Sequence, residues 1–233
     1  MKLSASLRRL LLLPALAAIA ACQQLATSPA QAAEATVVAP LAQRQASEPR
    51  GLKTAIFAGG CFWGVEGVFS HVRGVTSAVS GYHGGDAKTA RYERIHGGAS
   101  GHAESVRVTY DPARVRYDQL LRVFFSVVTD PTQLDRQGPD VGREYRNALV
   151  PLSAEQRAVA EAYLAQLRGS GVWRAPIVTR IEAYRQFFPA EAYHQDFMLA
   201  NPDHPYIRRW DAPKVAALRQ LFPGYYKAGF TSR

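Results

Sequence analysis

The hexapeptide Gly59-Gly60-Cys61-Phe62-Trp63-Gly64 joins two segments of different periodicity, and this constrains how the chain around it can fold. Before it, Thr54-Ala55-Ile56-Phe57-Ala58 is a short apolar run bounded by glycines, the pattern of a buried strand. After it, Val65, Val68, Phe69 and Val72 recur at helical spacing. Cys61 therefore stands where a strand turns into the first turn of a helix. Unpaired backbone N–H groups and the positive end of the helix dipole favour an anion there, which predicts a thiol pKa below its ordinary value. The glycines permit a tight turn, and Phe62 and Trp63 set two large apolar rings beside the sulfur. The other reading of the same residues is a glycine turn with two core aromatics and an inert, buried cysteine.

Downstream, the apolar pattern alternates between the two periods. Strands are predicted at 53–58, about 75–82, 103–110, 145–150 and through Ile177, Thr179 and Ile181. Helical spacing marks Tyr117, Leu120, Leu121, Phe124 and Val128, with a short helical piece near 90–95. Ser153 and Gln156 form a capping box for a helix to Arg168, another helix covers about 189–199, and Asp211 with Pro213 opens a last one. This mixture predicts an α+β fold, a two-layer sandwich of helices packed on a mixed β-sheet.

Glu104 shares strand parity with Val106, Val108 and Tyr110, so all four face one side, expected to be the buried one. A carboxyl held there has a raised pKa and can act as a general acid, whereas a glutamate at a strand end can also escape to water. Tyr82 and Tyr145 lie at strand ends, where a phenol can donate to a substrate oxygen or simply fill the core. Asp140 sits in a turn-forming loop. Glu93-x-x-His96 and Glu191-x-x-His194 have a di-iron carboxylate spacing, but Gly97-Gly98 ends the first segment at once, so no metal site is assigned. His83, His96 and His102 raise a cysteine peptidase as an alternative, although none is singled out as a base.

The first 21 residues hold a basic start, Lys2, Arg8 and Arg9, and the apolar run Leu10 to Ala21 broken by Pro14. That run is too short for a stable membrane span and reads as a signal peptide. Its end, Ile19-Ala20-Ala21-Cys22, resembles a bacterial lipoprotein signal, which implies lipidation of Cys22 and a membrane anchor on the periplasmic side of the cell envelope. Residues 22–50 read as the lipidated cysteine and a flexible tether, and 51–233 as one catalytic domain. Removing the three basic residues of 1–21 lowers the formal charge from +9 to +6. No basic helix carries interleaved aromatics, which argues against nucleic-acid binding.

Taken in order, the blocks Gly60-Cys61-Phe62-Trp63-Gly64, Ser80-Gly81-Tyr82-His83-Gly84-Gly85, Gly101-His102-Ala103-Glu104, Asp130-Pro131-Thr132, Gln137-Gly138-Pro139-Asp140-Val141-Gly142-Arg143-Glu144-Tyr145-Arg146 and Tyr193-His194-Gln195-Asp196-Phe197 resemble peptide methionine sulfoxide reductase of the A class, over nearly all of 51–233. The resemblance implies a ferredoxin-like (α-β plait) core and thiol-dependent reduction of methionine S-sulfoxide, free or in peptides and proteins, by a monomer with no bound cofactor. It implies that Cys61 attacks the sulfoxide sulfur and becomes a sulfenic acid, that Glu104 protonates the oxygen with Tyr82, Tyr145 and Asp140 holding it, and that Phe62 and Trp63 take the methyl group. Many members carry further cysteines near the C-terminus, while this chain has none after Cys61. An external thiol, a thioredoxin-like protein or a small thiol, is therefore the expected reductant. Thr129 and Glu144 replace the family's frequent histidine and glutamine. An envelope cysteine peptidase and a non-catalytic binding module are the alternatives.

Overall fold

The strand β1 (Lys53–Gly59) is buried from Ala55 onward, because it runs through the middle of a six-stranded sheet. Its apolar run therefore does not alternate. A computed structural model describes residues 37–232; the signal segment, Cys22 and the first part of the predicted tether lie outside the described residues. After β1 come α1 (Phe62–Ser70), β2 (Val75–His83), α2 (Tyr92–Ile95), β3 (Ala103–Tyr110) and α3 (Tyr117–Val123). Then follow β4 (Arg136–Gln137), β5 (Asp140–Val141), β6 (Asn147–Val150), α4 (Ala154–Gly169), β7 (Arg180–Ile181), β8 (Phe187–Pro189), α5 (Phe197–Ala200) and α6 (Ala212–Leu221).

The sheet order is β7-β6-β1-β3-β2-β8. β3 lies antiparallel between β1 and β2, β6 is antiparallel to β1, and β7 joins β6 in parallel, so the sheet is mixed. The four central strands, with α1 and α3 as crossovers, interleave two split βαβ units in the expected ferredoxin-like arrangement. Phe57, Val106, Val108 and Leu149 project from one face into a core shared with Val65, Val68 and Phe69 of α1 and Leu120 and Leu121 of α3. Glu104 falls on that same helix-covered face, opposite Tyr82 in the β2–β3 register.

Several predicted elements change on contact with their neighbours. The helix over 117–128 is α-helical to Val123 and then widens into a π turn, Phe124–Val128. The helix predicted over 189–199 is two short pieces, because Asp196 adopts a left-handed conformation (φ 53°) and its N–H donates to the buried Glu66. Of the strand through 177–181 only Arg180 and Ile181 pair, and the edge strand β8 carries no sequence alternation that would mark it. At α4, Ser153 accepts from the Gln156 N–H as predicted, while the Gln156 side chain reaches the N–H of Leu152.

Residues 37–50, read from composition as tether, lie along α3 and α4. The N–H of Ala39 donates to Ser126 and its carbonyl accepts from Arg122. Pro40 accepts from Tyr163, Ala46 donates to Asp118, and Glu48 accepts from Tyr110. Side chains of the domain thus satisfy the backbone of a segment with no periodicity of its own.

Candidate active site

Gly60 and Cys61 make the turn from β1 into α1. Gly60 has φ +91°, and a Cβ there would stand 2.5 Å from the Cβ of Gln137, whose amide oxygen accepts from Thr129 and from the N–H of Asp130. Both the dihedral angle and the close approach require glycine. Gly60→Ala is expected to cost about 2–4 kcal/mol of stability. Urea unfolding reads this directly, and an unchanged midpoint would show that the turn tolerates a side chain.

Cys61 is the N-cap residue of α1, partly accessible and not in a disulfide. The next N–H, that of Phe62, donates to Glu104 Oε2 at 2.9 Å. One strand end and one helix start therefore hold the carboxyl beside the thiol. Glu104 is 2 % exposed, and burial pushes its pKa up to about 8; the Phe62 N–H pulls it back, and the charges of Asp140, Glu144 and Asp211 add to the rise. Glu104 is therefore mostly protonated at neutral pH, as its parity predicts. The thiol departs from expectation. Burial, then the carboxylates of Glu104, Asp211 and Asp140, push Cys61 well above the ordinary thiol range, and the Trp63 N–H only partly opposes them. The helix end does not make Cys61 a resting thiolate.

The aromatic wall is built from four segments. Phe62 is fully buried against Tyr82 and His194. Trp63 stacks on Phe197 at 3.8 Å, meets Tyr206 edge-on at 5.9 Å, and donates its indole N–H to His194 Nδ1 at 3.2 Å. The Tyr206 hydroxyl in turn donates to Asp140. Tyr145 stands near Glu104, Asp140 and Cys61, and burial followed by these charges raises its pKa.

The profile of the family described as "Peptide methionine sulfoxide reductase" matches residues 53–223. A relative from Mesorhizobium japonicum, "Peptide methionine sulfoxide reductase MsrA 2", is 56 % identical over 76 % of this chain and 90 % of its own. The chain belongs to the peptide methionine sulfoxide reductase family. A second relative of that name, from Synechocystis, is 49 % identical over 77 % of this chain and 84 % of its own. Among solved structures, reduced Mxr1 from Saccharomyces cerevisiae matches with a TM-score of 0.57 at 30 % identity, covering 70 % of this chain and 92 % of that one. Methionine sulfoxide reductase A of Corynebacterium diphtheriae matches with a TM-score of 0.55 at 32 % identity, covering 67 % and 77 %.

Within this member of the family the seven residues singled out in sequence come from β2, β3, β5, the start of α1 and the turn before β6. Cys61, Phe62, Trp63, Glu104, Asp140 and Tyr145 share one locality. Tyr82 is adjacent, but its hydroxyl donates to Glu191 at 2.7 Å, and Glu191 also accepts from the N–H of Tyr92. Three residues of the two Glu-x-x-His motifs have such contacts: Glu191 ties two tyrosines, His194 receives the Trp63 indole, and His96 faces Glu144 at 3.6 Å, while Glu93 is exposed. His102 accepts from the Gly85 N–H and contacts the Asp86 carbonyl, and His83 accepts from the Arg185 N–H. Arg146 braces the same corner, donating to the carbonyls of Gly101 and His102 while pairing with Glu182. Residues near the thiol that the sequence reading gave no role at the site are Tyr92, Tyr206 and Asp211, the last read only as the start of the final helix. Only their phenolic or acidic chemistry hinted at them.

Proposed function

We propose that Cys61 and Glu104 are the working pair of this enzyme, a thiol-dependent reductase of methionine S-sulfoxide, free or in peptides and proteins. The observation that carries the reading is the bond from the Phe62 N–H to Glu104, which sets a protonated acid next to the sole cysteine of the described residues. A sulfoxide oxygen leaves poorly until it is protonated. Glu104 donates a proton to that oxygen, helped by the Tyr145 phenol, with Asp140 and Tyr82 shaping the site. Protonation makes the sulfoxide sulfur electron-poor, and its nearby positive charge lowers the barrier to ionising Cys61. The Cys61 sulfur attacks the sulfoxide sulfur and forms a transient S–S bond; the protonated oxygen then passes to Cys61 as the S–O and S–S bonds to the substrate sulfur both break, leaving a sulfenic acid on Cys61 and methionine as the thioether. The proton lost by the thiol replaces the one given by Glu104, so the acid starts and ends protonated. Phe62 and Trp63, with Phe197 and Tyr206 around Trp63, favour the methyl group.

Return of Cys61 to the thiol needs two electrons from an external thiol, a thioredoxin-like protein or a small thiol, since no second cysteine follows Cys61. The lipoprotein-like ending at Cys22 supports export to the bacterial envelope with a lipid anchor on the periplasmic side. The peptidase alternative has less support, because His83, His96 and His102 are each engaged away from the thiol.

Mass spectrometry of a methionine sulfoxide peptide incubated with the enzyme and dithiothreitol tests the reading. The S epimer is expected to lose one oxygen and the R epimer to remain. Cleavage would identify a peptidase, an unchanged S epimer a binding module, and either result would overturn the assignment.

A further inference from the structure

Glu66 lies three residues after Trp63, so the two side chains share one face of α1. It is 1 % exposed, and burying an acid is costly unless its polar atoms are used. One of them is: Glu66 Oε2 accepts the N–H of Asp196 at 3.0 Å. Asp196 has φ 53°, a left-handed conformation that a residue other than glycine keeps only where its surroundings hold it. The residues around this turn are those that grip Trp63. His194 accepts the indole N–H at 3.2 Å, and Phe197 stacks on the indole at 3.8 Å with the rings 9° from parallel. Upstream the segment is tied to β2, where the Gln195 amide accepts the Ser80 N–H and donates to the Ser80 carbonyl. Downstream the contact is apolar, since a Cβ on Gly67 would collide with the Met198 methyl group. The bond to Glu66 therefore falls between the anchored Gln195 and the stacked Phe197.

We propose that Glu66 is a positioning residue: by accepting the Asp196 N–H it holds the left-handed turn that lays Phe197 on Trp63, and so sets the selectivity of the pocket for a methyl over a larger group on the sulfoxide sulfur. Without the acceptor, the Asp196 N–H is left unpaired and the left-handed angle loses its support. The turn relaxes into an ordinary backbone conformation and carries Phe197 off the indole, while the ties of Gln195 keep His194 in place. Trp63 then lacks the ring that backs it, and the pocket widens. Glu66 acts here through Phe197 and Trp63, so its loss weakens binding rather than the chemical step. Burial, then the charge of Asp196, raises its pKa to about 8, so at pH 7 it is mostly neutral and glutamine matches it in charge and length. That the pocket holds the methyl group rests on the proposed function; the arrangement of Glu66, Asp196 and Phe197 does not.

The test uses the full chain at pH 7, in single turnover without reductant, on methionine S-sulfoxide and on its S-ethyl analogue. In Glu66→Ala the half-saturating concentration of the methyl substrate is expected to rise with the saturated rate unchanged. Its preference for methyl over ethyl is expected to fall by about tenfold or more, the low end of what one methylene is worth in an apolar pocket. Glu66→Gln keeps an acceptor for the Asp196 N–H and is expected to match the wild type in both. The near-ultraviolet circular dichroism of Trp63, taken as the difference from the Trp63→Phe form of each protein, is expected to be lost in Glu66→Ala and kept in Glu66→Gln. Wild-type selectivity or a wild-type Trp63 signal in Glu66→Ala overturns the proposal, as does a Glu66→Gln as impaired as Glu66→Ala. If Glu66→Ala loses the far-ultraviolet spectrum of the fold, Asp196 decides. Asp196→Gly adopts φ 53° freely and is expected to match the wild type, whereas β-branched Asp196→Val resists it and is expected to lose selectivity and the Trp63 signal. Equal behaviour of these two also overturns the proposal. A wild type that reduces neither sulfoxide would instead strike the proposed function and leave the Trp63 signal as the test of the turn.

Discussion

Glu104→Gln is expected to slow sulfoxide reduction by about 10²–10⁴-fold, the usual contribution of a general acid. Glutamine has the same length and can still accept the Phe62 N–H that Glu104 accepts at 2.9 Å, so the turn into α1 is retained. What it lacks is a transferable proton. Single-turnover rates without added reductant isolate the chemical step, and near-normal rates would remove Glu104 from the mechanism.

The pH profile gives the same assignment a second reading. Burial raises Glu104 from its ordinary range to about 8, so the acid is present below that value and lost above it. Single-turnover activity is therefore expected to fall as pH rises through about 8, and in Glu104→Gln this limb disappears. Stability runs with the same sign. A carboxyl whose folded pKa of about 8 exceeds its unfolded value of 4.5 favours folding at low pH, and this contribution is lost as pH rises from about 4.5 through 8. Glu104→Gln, which cannot ionise, is therefore no less stable than the wild type at pH 8–9, and its slow chemistry cannot be ascribed to unfolding. Glu66, also raised to about 8 by burial, titrates in the same window and remains in both proteins.

Local pattern made the central part of the fold and the core of the site legible. β3 was bounded by alternation alone, and the parity of Glu104 with Val106 and Val108 correctly placed it on the helix-covered face. β1 and α1 were equally clear, because strand and helix periodicities meet at Gly60. What depended on distant partners was not legible. Residues 37–50 have no period, and their order comes from Asp118, Arg122, Ser126 and Tyr163 on α3, the following π turn and α4. The left-handed Asp196 is fixed by Glu66, more than a hundred residues away. The thiol shows the same limit. A helix start is a local feature and favours a thiolate, but burial and three carboxylates from β3, β5 and the turn before α6 outweigh it. Sequence reading set Cys61 at the turn into α1 and missed the direction of its thiol pKa.

Cys61→Ser is expected to abolish reduction altogether. The substitution keeps the N-cap position, and serine is a favoured residue there, so α1 should form as well as before. The chemistry has no substitute. A hydroxyl is far harder to ionise than a thiol, and oxygen attack on a sulfoxide would have to form a hydroperoxide where sulfur forms a sulfenic acid. No other cysteine lies after residue 61, and the only one before it is Cys22. Without reductant, the wild-type chain is expected to yield at most one methionine per molecule and a sulfenic acid that dimedone traps on the Cys61 peptide. Cys61→Ser is expected to yield neither. The two readouts are coupled: every methionine released leaves one oxygen on one sulfur. Methionine formed by Cys61→Ser, or a wild-type yield well above one per chain with no reductant present, would mean that the oxygen leaves by a route that does not pass through Cys61.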